Sequence, residues 1–191
     1  MPQFPTSSTS RPAAGELISA VIRNNMQLVR QLLDQKADIN EKDKDGNTAL
    51  NHAADLGYIE IVRLLVDKGA DLNMKNADGD TPLMKALSAY SPYTYNNDNY
   101  NTIARLLINH GADLDAKNKS GETALSIATN KSREQIIVLI KDEKIRRTKL
   151  AEEYARAAEK KRRDVIADKQ QELREAAKKK PKLKPFPPKA A

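Results

Sequence analysis

Cysteine and tryptophan are both absent from this 191-residue chain. Without a thiol there can be no disulfide framework, no zinc-thiolate centre and no cysteine nucleophile. Aromatic residues are scarce, with six Tyr and two Phe. No apolar run approaches the roughly 18 residues that a membrane-spanning helix requires. Residues 1–15 are rich in Pro, Ser and Thr but lack the apolar stretch of a signal peptide, so none is expected. The two histidines, His52 and His110, have no second ligand at metal-binding spacing. Neither a glycine-rich phosphate loop nor a nucleophile motif is present. The expectation is therefore a non-enzyme, with no catalytic residue, no metal and no cofactor.

Charge is unevenly spread. The formal net charge is +7, but residues 1–140 hold 15 Lys and Arg against 17 Asp and Glu. The last 51 residues hold 18 against 9. A near-neutral body is thus followed by a basic tail.

Within the body one phrase recurs: Asp45-Gly46-Asn47-Thr48-Ala49-Leu50, Asp78-Gly79-Asp80-Thr81-Pro82-Leu83 and Ser120-Gly121-Glu122-Thr123-Ala124-Leu125. The copies lie 33 and then 42 residues apart. Such a period marks stacked supersecondary units rather than one globular core. In the most regular unit the pattern predicts a helix over Thr48–Leu56, with Thr48 as cap, and a second over Glu60–Lys68. Gly57 separates the two helices and Gly69 ends the second. Neither helix can bury its apolar face alone, so neighbours must stack. Leu17, Ala20, Val21, Leu28, Val29, Leu32 and Leu33 fill the same slots one period earlier, and Ala128, Ile136, Ile137, Leu139 and Ile140 fill them at the end. Four units result: 15–44, 45–77, 78–119 and 120–141.

The phrases Thr-Ala/Pro-Leu, Gly-Tyr-Ile-Glu-Ile-Val-Arg-Leu-Leu (57–65), Lys-Gly-Ala-Asp-Leu-Asn (68–73) and His-Gly-Ala-Asp-Leu-Asp (110–115) closely resemble ankyrin repeats over about 125 residues. The resemblance implies an all-α solenoid of helix pairs with projecting hairpin-like fingers, and a role in protein–protein recognition. On that reading the finger residues Asp43, Lys44, Asn76, Asn118 and Lys119, and the groove residues Asn51, His52, Met84 and Lys85, are candidate protein-binding positions. Asp71, Asp113 and Asp115 read as turn formers. Two departures stand out. Lys36 occupies the glycine slot of the first unit, and the family's usual histidine is replaced by Asn51, Met84 and Ser126, which removes a familiar hydrogen-bonding side chain.

The 42-residue interval contains nine surplus residues, assigned to an insertion at 88–102. This segment carries Tyr90, Tyr93, Tyr95 and Tyr100 among Ser and Asn. Tyrosine in that setting offers large contact area at small entropic cost, as in binding loops. The alternative is that the tyrosines merely cover the adjacent helices.

Between Lys141 and Lys180 there is no Gly or Pro, and 24 of 40 residues are charged. Good helix formers dominate, with acid-before-base pairs four residues apart such as Glu152/Arg156 and Glu159/Arg163. A long charged helix over 142–180 is expected, flanked by a disordered leader (1–14) and tail (181–191). Lys160, Lys161, Arg162, Arg163, Lys178, Lys179 and Lys180 are candidate anion-binding residues. The leading expectation is an adaptor that takes an unidentified protein partner, cytoplasmic and monomeric. The rival is a tail-driven binder of nucleic acid or anionic membrane, with nuclear import as the corresponding localisation. Weak self-association through the tail is a third reading.

Overall fold

The computed structural model describes residues 12–89 and 97–178. Among them the regular structure is entirely α-helical: α1 Glu16–Ile22, α2 Met26–Asp34, α3 Ala49–Asp55, α4 Ile59–Asp67, α5 Pro82–Ser88, α6 Asn97–Asn109, α7 Ala124–Asn130 and α8 Glu134–Lys178. The chain is an all-α repeat solenoid followed by a long C-terminal helix. It forms two compact units that divide between Lys144 and Ile145, a point that falls within α8.

In the first unit the helices pair as α1/α2, α3/α4, α5/α6 and α7/start of α8. The first helices stack along one row, α1 on α3, α3 on α5 and α5 on α7, while α4 packs on α6 behind them. The short first helices are rich in small residues, and Ala20, Ala53, Ala54, Ala86 and Ala128 are all buried. Small side chains let neighbouring helices approach closely. Larger residues fill the space between the rows, with Leu50, Leu65, Leu83, Leu87, Ile103, Leu107, Ile136 and Ile140 almost wholly sequestered. Each such side chain stabilises the stack by about 1.5–3 kcal/mol relative to exposure.

Caps set where the helices begin. The hydroxyls of Thr48, Thr81 and Thr123 accept bonds from the amides of Asn51, Met84 and Ser126. Each satisfies a donor that the first helical turn leaves unpaired. The second helices are entered and left through left-handed residues. Gly57, Asn24 and Ser132 take positive φ between the helices, and Gly69, Gly111 and Lys36 take it after the second helix. Lys36 therefore adopts the glycine conformation (φ 60) despite its side chain, at a cost of about 1–2 kcal/mol.

The second unit, described from Ile145 to Lys178, is the remainder of α8. Every side chain described from Thr148 to Glu175 is exposed. Its helicity rests on local propensity and on pairs such as Arg163–Glu159 (2.6 Å) and Arg156–Glu152 (3.8 Å).

Candidate functional site

The fingers are tight turns whose polar slots repeat from unit to unit. At the first slot stand Asp43, Asn76 and Asn118. Asp43 Oδ1 accepts the amides of Asp45 (2.9 Å) and Asn47 (2.8 Å). Asn76 Oδ1 does the same for Asp78 and Asp80, and Asn118 Oδ1 for Ser120 and Glu122. The amide nitrogens then tie each finger to its predecessor: Asn76 Nδ2 donates to Asn47 Oδ1 (3.0 Å), and Asn118 Nδ2 to Asp80 Oδ1 (2.9 Å). Backbone bonds run alongside, from Ala77 N to the Asp45 carbonyl and from Lys119 N to the Asp78 carbonyl. The approach is so close that a Cβ on Gly46 would lie 2.8 Å from Ala77 N, and one on Gly79 2.9 Å from Lys119 N. Both positions need glycine for space as well as for φ.

Two further ladders run along the stack. Lys42 Nζ donates to the Lys75 carbonyl (2.8 Å), and Lys75 Nζ to the Lys117 carbonyl (2.9 Å). Asn40 Oδ1 accepts from Asp71 N, and Asn73 Oδ1 from Asp113 N. In the last finger the equivalent slot is Asp115, whose carboxylate instead receives the Lys144 ammonium from α8.

These contacts sort the expected binding residues. Asp43, Asn76 and Asn118 are framework residues that hold the turns in shape. Asn51 and Met84, expected to line the groove, are buried and cannot meet a partner there. Asn51 Oδ1 accepts from the Thr48 amide (3.1 Å) and hydroxyl (2.7 Å), while its Nδ2 donates to the Asp80 carbonyl (3.4 Å). Ser126 closes the same kind of cap with Thr123. The hydrogen bonding expected to be lost with the family's histidine is therefore retained at two of the three replacements, and Met84 alone gives it up to the apolar core.

What remains outward-facing is narrower. His52 Nε2 lies 2.7 Å from Asp43 Oδ2, and Lys85 Nζ lies 3.3 Å from Asp55 Oδ1, both pairs partly exposed along the row of first helices. Partial burial pushes the Asp43 carboxyl up, but hydrogen bonds from His52 and from the amides of Asn47 and Asp45 outweigh it and hold the group below its ordinary value. Lys44, Asp45, Ala77, Asp78, Lys119 and Ser120 form the exposed tips.

Tyr90, Tyr93 and Tyr95 lie outside the described residues. Tyr100 does not belong with them. It sits in the first turn of α6, half-buried, at the slot that Tyr58 fills one unit earlier. Its ring faces Gly57, and the neighbouring Asn99 Nδ2 donates to the Gly57 carbonyl (3.2 Å). Burial raises the Tyr100 phenol above its ordinary value, with the charge of Asp55 and the nearby Tyr58 adding to the shift. For this tyrosine, covering the adjacent helices is the observed role. Part of the surplus simply lengthens α6, which has 13 residues against 9 in α4.

Arg133 carries no motif that marks it in the sequence. It is only 4% exposed, and its guanidinium donates to Asn101 Oδ1 (2.6 and 3.2 Å) and to the Ala86 carbonyl (3.4 Å). A lone arginine at the turn between α7 and α8, in the slot of Tyr58 and Tyr100, was its only signal. Among the basic residues, Lys160–Arg163 lie exposed on α8. The side chain of Lys178, and Lys179 and Lys180 entirely, fall outside the described residues. Among the described residues no group of three or more His, Asp or Glu side chains gathers to hold a metal.

The family model for ankyrin repeats in three copies matches residues 17–94, and the single ankyrin repeat model matches 78–119. Both end before the fourth helix pair, which the structure nevertheless stacks on the third. No curated protein matches the chain. Among solved structures, the crystal structure of an ankyrin repeat domain from Acinetobacter baumannii AYE is similar, at 29% identity and a TM-score of 0.62. The match covers 66% of this chain and spans 63% of the length of that one.

Proposed function

We propose, from the premise that this chain belongs to the ankyrin repeat family, that its repeats hold one protein partner along the finger tips and the adjoining row of first helices. Ankyrin repeats are in general protein–protein interaction modules, and the family is typically non-enzymatic. The supporting observation is the division of labour within each finger. Asp43, Asn76 and Asn118 spend their polar atoms on fixing the turns, which leaves Lys44–Asp45, Ala77–Asp78 and Lys119–Ser120 exposed on a pre-set backbone. A rigid scaffold presenting variable tips lowers the entropy lost on binding. His52 and the Lys85–Asp55 pair extend the same surface with mixed charge, and residues 90–96, with three tyrosines, are its proposed extension.

Affinity capture with the full chain, compared with a Lys44→Ala/Asp78→Ala/Lys119→Ala variant, tests the proposal. Exposed substitutions of this kind shift stability by no more than about 0.5 kcal/mol each, so the melting transition should stay in place while partner recovery falls at least tenfold. A partner recovered equally by both proteins would not be using the finger tips. Deleting 90–96 separates the contribution of the insertion.

A further inference from the structure

We infer that the part of α8 beyond the repeats carries a duplex nucleic-acid site, formed by one straight row of cations that the linear sequence disguises. In sequence the basic residues cluster as Lys160-Lys161-Arg162-Arg163, but a helix turns about 100° per residue and disperses that cluster. Lys160 and Arg163 share a sector of about 60° with Lys149, Arg156 and Arg174, and all five are exposed. From Ile145 to Glu175 that sector holds no Asp or Glu. At 1.5 Å per residue the row from Lys149 to Arg174 is about 38 Å long, close to one turn of a duplex. Two of its arginines are steadied from the rim, Arg156 by Glu152 (3.8 Å) and Arg163 by Glu159 (2.6 Å).

Chemistry narrows the ligand. Phosphodiesters are the polyanion whose spacing rewards an extended row of cations, through release of condensed counterions. The sector contains no aromatic side chain on which unstacked bases could lie, since Tyr154 is on the opposite face, and this disfavours a single strand. Opposite the row, Tyr154, Ala158 and Val165 share their face with Lys161, Arg162 and Lys169, all exposed. Laying that face into a lipid interface would immerse three cations with it, which disfavours a membrane. The row offers nothing arranged to read base edges, so binding is independent of sequence.

The test is fluorescence anisotropy with the full chain and a mixed-sequence 25-base-pair DNA duplex, with an RNA duplex and phosphatidylserine vesicles as parallel arms. Two triple variants make the same change in net charge: Lys149→Glu/Lys160→Glu/Arg174→Glu on the row, and Lys161→Glu/Arg162→Glu/Lys169→Glu off it. The wild-type log K should fall with log salt with a slope of about −4.5 for the five cations. The row variant should bind at least about thirtyfold more weakly at 100 mM salt and show a slope nearer −2, while the off-row variant loses less than about fivefold. Preference between the two duplexes tells which one supplies the phosphates. Equal losses in the two variants would mean general charge attraction without a site, and overturn the inference. Failure of the wild type to bind either duplex at 50 mM salt, or vesicle binding that survives the row variant, overturns it equally. Helicity at 222 nm checks that the variants fold; if the Glu set unwinds α8, Gln at the same three positions answers the same question.

Discussion

α8 contains two helices of different physical origin joined without a break. Up to Lys144 it is a repeat helix, with Ile136 and Ile140 sealed into the stack and Glu143 buried beside them. From Ile145 its apolar residues, among them Leu150, Tyr154, Val165 and Leu173, are exposed. The tail, rich in Ala, Lys, Arg and Glu, is the better helix former, since Ile136, Ile137, Val138 and Ile140 in the repeat part are β-branched, so propensity does not explain why the repeat part is the more firmly held. Packing does: the first part is held by tertiary contact and the second by side-chain pairs worth a few tenths of a kcal/mol each. Helical pattern alone therefore says little about how strongly a segment is held.

Truncation exposes this difference most sharply. Leu107→Ala, at a fully buried site in α6, should destabilise the repeat unit by about 2–5 kcal/mol. Leu150→Ala, at a site 43% exposed, should move the cooperative chemical-denaturation midpoint hardly at all. Similar losses would mean that the tail is packed after all. Arg133→Ala comes next. It leaves the Asn101 carboxamide oxygen unpaired in the stack and should cost about 1–3 kcal/mol, whereas Arg156→Ala, whose partner Glu152 is exposed, should cost under about 1 kcal/mol.

Asp43 sharpens the comparison within the fingers. Asp43→Ala orphans the amides of Asp45 and Asn47 and should cost about 1–2 kcal/mol at neutral pH. Asp43→Asn should be much milder, because Asn76 and Asn118 already fill that slot. The carboxyl is held below its unfolded value, so its contribution is complete above the unfolded pKa and disappears as pH falls through the folded one. Wild-type protein should therefore lose stability relative to Asp43→Asn as pH falls below about 4, measured by urea midpoints at pH 5 and pH 3; parallel curves would refute the assignment. The smallest effect has the opposite sign. Lys36→Gly relieves a left-handed non-glycine residue and should stabilise the first unit by about 0.4–1 kcal/mol, while an equivalent Gly substitution on the tail, such as Arg156→Gly, should lower helicity.

The stack was readable because its signals are local. Thr48, Thr81 and Thr123 sit just before their helices, and the buried Leu and Ala positions recur at fixed offsets. Lys36 departs from the glycine of its slot, and the backbone keeps the glycine conformation in spite of it. The site was less legible. Asp43, Asn76 and Asn118 have the polarity of binding residues, and only the neighbouring finger shows that their polar atoms are already committed. Asn51 looked like a loss of hydrogen bonding because its partners, the Thr48 cap and the Asp80 carbonyl 29 residues away, become neighbours only after stacking. Composition alone places Tyr100 with the insertion because it carries no register; its alignment with Tyr58 emerges from where α6 begins. Arg133 meets Asn101 across 32 residues, an interval that matches no repeat of the phrase.

The Asn40–Asn73–Asp115 series changes its partner at the last unit. An asparagine carbonyl in this slot welcomes a backbone amide from the next unit, and so invites another repeat. At Asp115 the carboxylate instead meets a lysine of its own chain, Lys144 on α8, so a helix side chain stands where a backbone amide stood in the earlier units. At the last unit a side-chain ion pair thus takes the place of the amide-to-backbone rung. Lengthening this solenoid by design would begin with Asp115→Asn and the release of Lys144, before any new helix is added.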